Sequence, residues 1–229
     1  MRNIKFEIGE YYHIYNRGTD KRIIFVDLFD LLRFSQSMEE FNVVNPTGGI
    51  YNNRFKNREE LKSSASKLVD FVCYCLNPNH YHFILTPLVE NGIEKFIHKL
   101  STGFTKYFNE KYERTGVLFQ GKYKAIHINS DEYLMYLSGY INLNNKIHRL
   151  RSRASKSDFG GEKIFWKSSW DEYLGENKDN FCNKSIVLDR FEGKIEDYKE
   201  FAESVAEGVI KGRIDENISL GDDLLIEKM

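Results

Sequence analysis

Apolar positions change their spacing several times along the chain, and each change marks an element. "YYHIYNRG" reads as a strand closing in a turn at Gly18. "VDLFDLLRFSQSMEEFN" has apolar residues at helical spacing and predicts a helix from about Asp27 to Phe41. "LVDFVCYCLN" and "YHFILTP" are β-rich runs joined by the turn "NPNH", which predicts a hairpin. "NGIEKFIHKLSTGFTKYFNEKYERTG" predicts a long amphipathic helix, with Asn91 as cap and Gly116 as stop. "VLFQGKYKAIHI" reads as a strand. "SDEYLMYLSGYINLNNKIHRL" opens on a Ser/Asp capping signal and runs as a helix.

Strand, helix, hairpin, helix, strand, helix is an α+β order around an antiparallel sheet. The expected architecture is a ferredoxin-like or palm-like sheet with helices on one face. It is followed by a small, mostly helical C-terminal extension. The main domain is expected over residues 8–150, interrupted by a polar insertion at 43–67. The Ser-, Gly- and charge-rich segment 151–163 reads as a linker, and 164–229 as the extension.

Composition narrows the class. The chain has 229 residues, 41% hydrophobic and 14% aromatic, enough for a folded core and unlike a disordered chain. No apolar run approaches the roughly 18 residues a membrane span needs, and the N-terminal stretch has no apolar signal core. The expectation is a cytoplasmic protein without a membrane partner. Three cysteines, two of them on one strand, read as buried apolar residues rather than a disulfide framework. The formal net charge is −1, but it hides an asymmetry. Residues 95–156 hold 12 Lys and Arg against 4 Asp and Glu, whereas residues 195–229 hold 10 acids against 4 bases. A polyanion would meet the basic middle.

The run "NPNHYHFILTP" carries the most specific chemistry. Side chains alternate along a strand, so His80 and His82 project from one face, about 7 Å apart along it, while Tyr81 faces the other way. Imidazole is the commonest protein ligand for divalent metals, and two on one face make half a site; the bland reading is two hydrogen-bonded structural histidines. Tyr140 and Asn144 are spaced i and i+4, on one helix face. A phenol is a nucleophile once activated, and an amide oxygen is a hard ligand suited to Mg²⁺ or Mn²⁺. Spacing alone favours the ordinary reading, one tyrosine among 14 and an asparagine that starts a turn.

"LNPNHYHFILTP" resembles the histidine–hydrophobic–histidine (HUH) motif of the single-tyrosine transposases, the IS200-like and REP-associated tyrosine transposases among them. "YYHIYNRG", "FTKYFNEKYERTGVLFQGKYKAIHINSDEYL", "LSGYINLNN" and "WKSSWDEYLG" resemble further blocks of that family in the same order, across most of residues 10–175. The resemblance implies metal ligands at His80, His82 and Asn144 and a nucleophile at Tyr140. It implies one divalent ion, Mg²⁺ or Mn²⁺, and cleavage and rejoining of single-stranded DNA through a 5′-phosphotyrosine, at hairpin-associated sites. One departure is Asn145, where the family often has proline.

DNA contacts are expected from Arg17, from Lys122 and Lys124 on one strand face, and from Phe119 or Tyr123 stacking on bases. "KIHRLRSRASK" adds a basic stretch beyond the tyrosine. A homodimer is compatible with this reading. A non-cutting DNA-binding protein and a metal-dependent hydrolase are the alternatives. The remaining histidines, His13, His98, His127 and His148, form no second cluster in the sequence.

Overall fold

The computed structural model describes residues 4–45, 66–148, 165–176 and 180–215. The centre of the 43–67 insertion and the 151–163 linker lie outside these residues. Five strands form one antiparallel sheet in the order β4-β1-β3-β2-β5. They are β1 (Tyr11–Arg17), β2 (Val69–Asn77), β3 (His80–Pro87), β4 (Lys124–Ile128) and β5 (Lys167–Ser168). The first four strands, with helices α1 (Leu28–Glu40) and α2 (Gly92–Lys111), follow the expected order. The α+β class and the antiparallel sheet are as read from the sequence.

Helix α1 starts where its composition dictates. Asp27 accepts from the Asp30 amide at 3.0 Å, and the Asp30 carboxylate accepts from the Asp27 amide at 3.2 Å, a reciprocal capping box. Asp30 is fully buried and also accepts from Tyr107, Tyr112 and Lys111, which ties α1 to α2. Lys111 ends α2, so Gly116 lies in the following turn at φ +85° rather than at the helix stop. Asn91 occupies the N-cap position, but with left-handed backbone and no side-chain capping bond.

Helices α1 and α2 cover one face of the sheet. Phe34 of α1 meets Tyr81 and Phe83 of β3, and Phe96 of α2 packs edge-on to Phe71 of β2 at 5.4 Å. Helix α3 (Asp131–Asn142) lies on the opposite face, where Tyr140 meets His82. The helices therefore occupy both faces, not one. The physical reason is the second face of β2 and β3: Cys73, Cys75, Ile84 and His82 are all buried there and need a cover. The three cysteines are free and buried, as expected.

The segment after the linker contributes to that cover. β5 pairs with β2 through Cys75↔Ser168 and Leu76↔Lys167. The short helices α4 (Trp170–Tyr173) and α5 (Ser185–Leu188) lead to α6 (Ile195–Asp215), which packs on α3. A Cβ on Gly139 would lie 3.1 Å from Ala202 Cα, so glycine permits this close helix approach. Asn142 donates to Tyr198 Oη at 2.8 Å and accepts from Ser169 Oγ at 2.5 Å, joining α3, α4 and α6. No helix among the described residues is long and apolar enough to cross a membrane.

Candidate active site

The hairpin β2–β3 places the two histidines at the start of β3. His80 pairs across the sheet with Arg17 and Asn77, and His82 with Tyr15 and Cys75. Opposed residues share a face. His80 and His82 therefore share one face with Arg17, Tyr15, Asn77 and Cys75, and their ring centroids lie 5.1 Å apart. His80 is 6% exposed and His82 is 1% exposed.

Helix α3 brings the tyrosine over this face. Ser130 caps it by accepting from the Tyr133 amide at 3.1 Å, as the sequence suggested. The Tyr140 ring stands edge-on to His82, with centroids 6.3 Å apart. The helix breaks at Leu143 and resumes over residues 144–148, so Tyr140 and Asn144 do not share one unbroken helix. Asn144 nevertheless reaches the site. It is fully buried, and its Oδ1 accepts from Asn77 Nδ2 at 2.7 Å.

Asn77 Nδ2 also lies 3.0 Å from His80 Nε2. One NH₂ group thus meets an oxygen of Asn144 and a ring nitrogen of His80. His80 Nδ1 faces Asn79 Oδ1 at 2.6 Å, an acceptor, which puts the imidazole proton on Nδ1 and leaves Nε2 with its lone pair. His80 Nε2 and Asn144 Oδ1 both take a hydrogen from the Asn77 amide, so their lone pairs lie side by side and the Asn77 NH₂ group stands between them; Asn144 Nδ2 is buried with no hydrogen-bond partner. Once the Asn77 amide swings aside, these neutral nitrogen and oxygen donors fit a small cation. Among the described residues no group of three His, Cys, Asp or Glu side chains could hold a metal, so an amide has to complete any such set.

Three residues join the site that sequence reading left outside it. His13 on β1 is fully buried, and its Nε2 lies 2.9 Å from His82 Nδ1. Burial pushes the His13 imidazole down to about 3, so it is neutral near neutral pH. His148 faces His80 with ring centroids 5.0 Å apart. Asn77 bridges as described. Pairing β1 with β3 in the observed register was the missing information for His13, and continuing the Tyr140, Asn144 spacing by four more residues would have pointed to His148.

The expected DNA contacts divide. Lys124 is exposed on β4, on the same face as the histidines, with Nζ 6.0 Å from the Tyr15 ring. Arg17 is half-buried on that face, bonded through Nε to Gln120 Oε1. Lys122 is exposed but precedes the strand, which begins only at Lys124, so the expected alternation across residues 122–124 does not form. Phe119 lies in the core instead of on the surface. It is 6% exposed and packs against Tyr81 and Phe104, because an apolar ring next to the core side of β3 is better buried than offered to a base. Tyr123 likewise packs against the core, with its hydroxyl buried.

A ferredoxin-like antiparallel sheet with paired histidines facing a helix-borne tyrosine is the class that fold and site define together. Residues 53–144, which include His80, His82, Tyr140 and Asn144, match the family described as "Transposase IS200 like". The match agrees with the recognition made from the sequence: over residues 53–144 the chain is similar to the IS200-like transposases, enzymes that cut and join DNA. The chain also resembles a solved structure described as "Structure of the REP associates tyrosine transposase bound to a REP hairpin". That likeness has 12% identity and a TM-score of 0.45, and covers 72% of this chain and 98% of the other. No curated protein matches the chain.

Proposed function

We propose that the protein cleaves and rejoins single-stranded DNA at hairpin-associated sites, with Tyr140 as nucleophile and a divalent ion held by His80, His82 and Asn144. The observation that supports this is the meeting of Tyr140, His82, His80 and Asn144 over one sheet face, with His80 Nε2 and Asn144 Oδ1 bonded to the same Asn77 amide. Mg²⁺ or Mn²⁺ bound there would polarise the scissile phosphate and offset charge on its oxygens.

Tyr140 Oη forms a bond to phosphorus while the bond from phosphorus to the 3′ oxygen breaks. The phenol gives up its proton, and the leaving 3′ oxygen gains one. The products are a 5′-phosphotyrosine and a free 3′-hydroxyl. Because the phosphodiester is conserved, attack by a second 3′-hydroxyl reverses the step and joins strands without ATP. Arg17 and Lys124 share this sheet face, which supports a role for them in meeting the backbone phosphates that flank the cleaved bond.

Tyr140 is 2% exposed, so attack requires local opening of the site when DNA binds. That burial is also the observation that favours the alternative, a DNA-binding protein that does not cut. The two separate in a cleavage assay with labelled hairpin oligonucleotides and Mn²⁺. The expected outcome is that the parent cleaves, and His80→Ala loses cleavage while keeping most of its DNA affinity. Equal cleavage by His80→Ala and the parent refutes the metal assignment. Binding without cleavage by the parent supports the non-cutting reading.

A further inference from the structure

The hydrogen bond between His13 and His82 joins two imidazoles, the one on β1 and the other a proposed ligand on β3. We propose that His13 is a positioning residue for the metal site: it accepts the His82 Nδ1–H and so keeps His82 Nε2 unprotonated, in the form that can ligate an ion. The inference rests on the metal-site reading above and adds a residue to it.

A neutral imidazole has one N–H and one lone pair. Two neutral rings sharing one N···N contact can therefore be arranged in two ways. If His13 donates, the His82 proton sits on Nε2 and that atom cannot ligate. If His82 donates, its Nε2 carries the lone pair. The second arrangement matches His80, whose Nδ1 proton is fixed by Asn79 and whose Nε2 is the acceptor. His80 and His82 then each carry an unprotonated Nε2, and an unprotonated nitrogen is what ligation to one ion requires of each ring.

The fold makes this contact rigid. His13 and His82 sit on adjacent strands inside the sheet, 0% and 1% exposed. They are diagonal neighbours rather than directly opposed, since His13 is opposite Ile84 and His82 opposite Tyr15. Tyr15 stacks on both rings, at 4.8 Å from His13 and 5.7 Å from His82, and holds their planes. With His82 donating, the His13 proton lies on Nδ1, a buried atom with no hydrogen-bond partner. A ligating histidine generally needs an acceptor for its other N–H to fix its tautomer and ring plane. Here that acceptor is a neutral ring rather than a carboxylate, so it adds no negative charge beside the ion.

The test uses the full chain and two readouts other than cleavage. Mn²⁺ affinity is measured by electron paramagnetic resonance for the parent, His13→Gln, His13→Leu and His82→Ala, with melting in EDTA as the control for folding. Long-range ¹H–¹⁵N spectra of the metal-free parent report the His82 tautomer. Glutamine keeps an acceptor near the place of Nε2, and leucine does not. The expected result is a loss of about 10- to 100-fold in Mn²⁺ affinity for His13→Leu, recovery of most of it in His13→Gln, and an Nδ1–H tautomer at His82. A His13→Leu protein that binds Mn²⁺ like the parent, while His82→Ala does not, overturns the role of His13 and leaves the metal site standing. An Nε2–H tautomer at His82 overturns it too, whether or not the leucine variant folds. If His82→Ala also binds like the parent, the metal-site reading itself falls, and the role of His13 with it.

Discussion

Replacing Asn142 by leucine removes the polar link that fastens the tyrosine-bearing helix to the C-terminal part of the chain. Asn142 is fully buried, donates to Tyr198 Oη at 2.8 Å and accepts from Ser169 Oγ at 2.5 Å. Leucine has the same branched skeleton of heavy atoms and is somewhat larger, so no cavity forms and the lost bonds dominate. Each buried bond contributes about 1 kcal/mol net, and a stranded partner adds to the loss. The stranding is partial: Ser169 Oγ can still donate to the Tyr74 carbonyl at 3.3 Å, and Tyr198 Oη keeps its own donation to Ser138 Oγ at 3.3 Å while losing the hydrogen it accepts. The expected cost is therefore about 2–3 kcal/mol, at the low end for two stranded groups. At about 2–4 °C per kcal/mol for a protein of this size, the melting temperature falls by roughly 4–12 °C. Urea unfolding checks it: the midpoint should drop with an unchanged slope. The double variant Asn142→Leu/Tyr198→Phe should cost less than the sum of its parts by about 1 kcal/mol, because the second change removes the partner that the first strands. Stability of Asn142→Leu within about 0.5 kcal/mol of the parent would refute the reasoning, since that is the range of an inconsequential surface change.

Two further predictions concern other buried polar groups. Asn42 bonds the backbone of Leu68 and Val69 three times, at 2.8, 2.9 and 3.1 Å, where the chain returns from the insertion, so Asn42→Ala should lose about 3 kcal/mol or more in urea unfolding. His13 titrates at about 3 when folded against about 6.5 when unfolded, so between those values the unfolded chain binds the extra proton. Its contribution is complete above about pH 6.5 and falls as pH drops toward 3, by about 1.4 kcal/mol per unit. In EDTA, His13→Gln should therefore show a flatter loss of stability from pH 6 to 4 than the parent, and parallel curves would contradict the burial of a neutral imidazole.

Local signals made much of the fold legible. The Asp27 cap, the Ser130 cap, the "NPNH" turn and the period of α1, α2 and α3 are each set by neighbours within a few residues. Strand β4 was read as starting too early, because "VLFQGKY" looks β-rich while only one bridge, Gly18↔Phe119, forms before Lys124. Two-residue β5 has no periodicity to read; its position depends on β2 presenting an open edge. His80 and His82 were visible because both lie on one strand. His13 was not, because its meeting with His82 spans 69 residues and depends on the β1–β3 register. The break at Leu143 was hidden for a related reason. The i, i+4 rule assumes an unbroken helix, whereas Asn144 reaches the site from a new turn, held by Asn77.

The nucleophile is the centre of the account, and one measurement addresses it directly. The protein is incubated with Mn²⁺ and a diverse pool of single-stranded hairpin oligonucleotides, resolved under denaturing conditions, digested, and the DNA-linked peptide sequenced by mass spectrometry. The account predicts a covalent adduct on the peptide containing Tyr140, attached to a DNA 5′ phosphate, absent without metal and absent from Tyr140→Phe. An adduct on another residue, or one that persists in Tyr140→Phe, would contradict it.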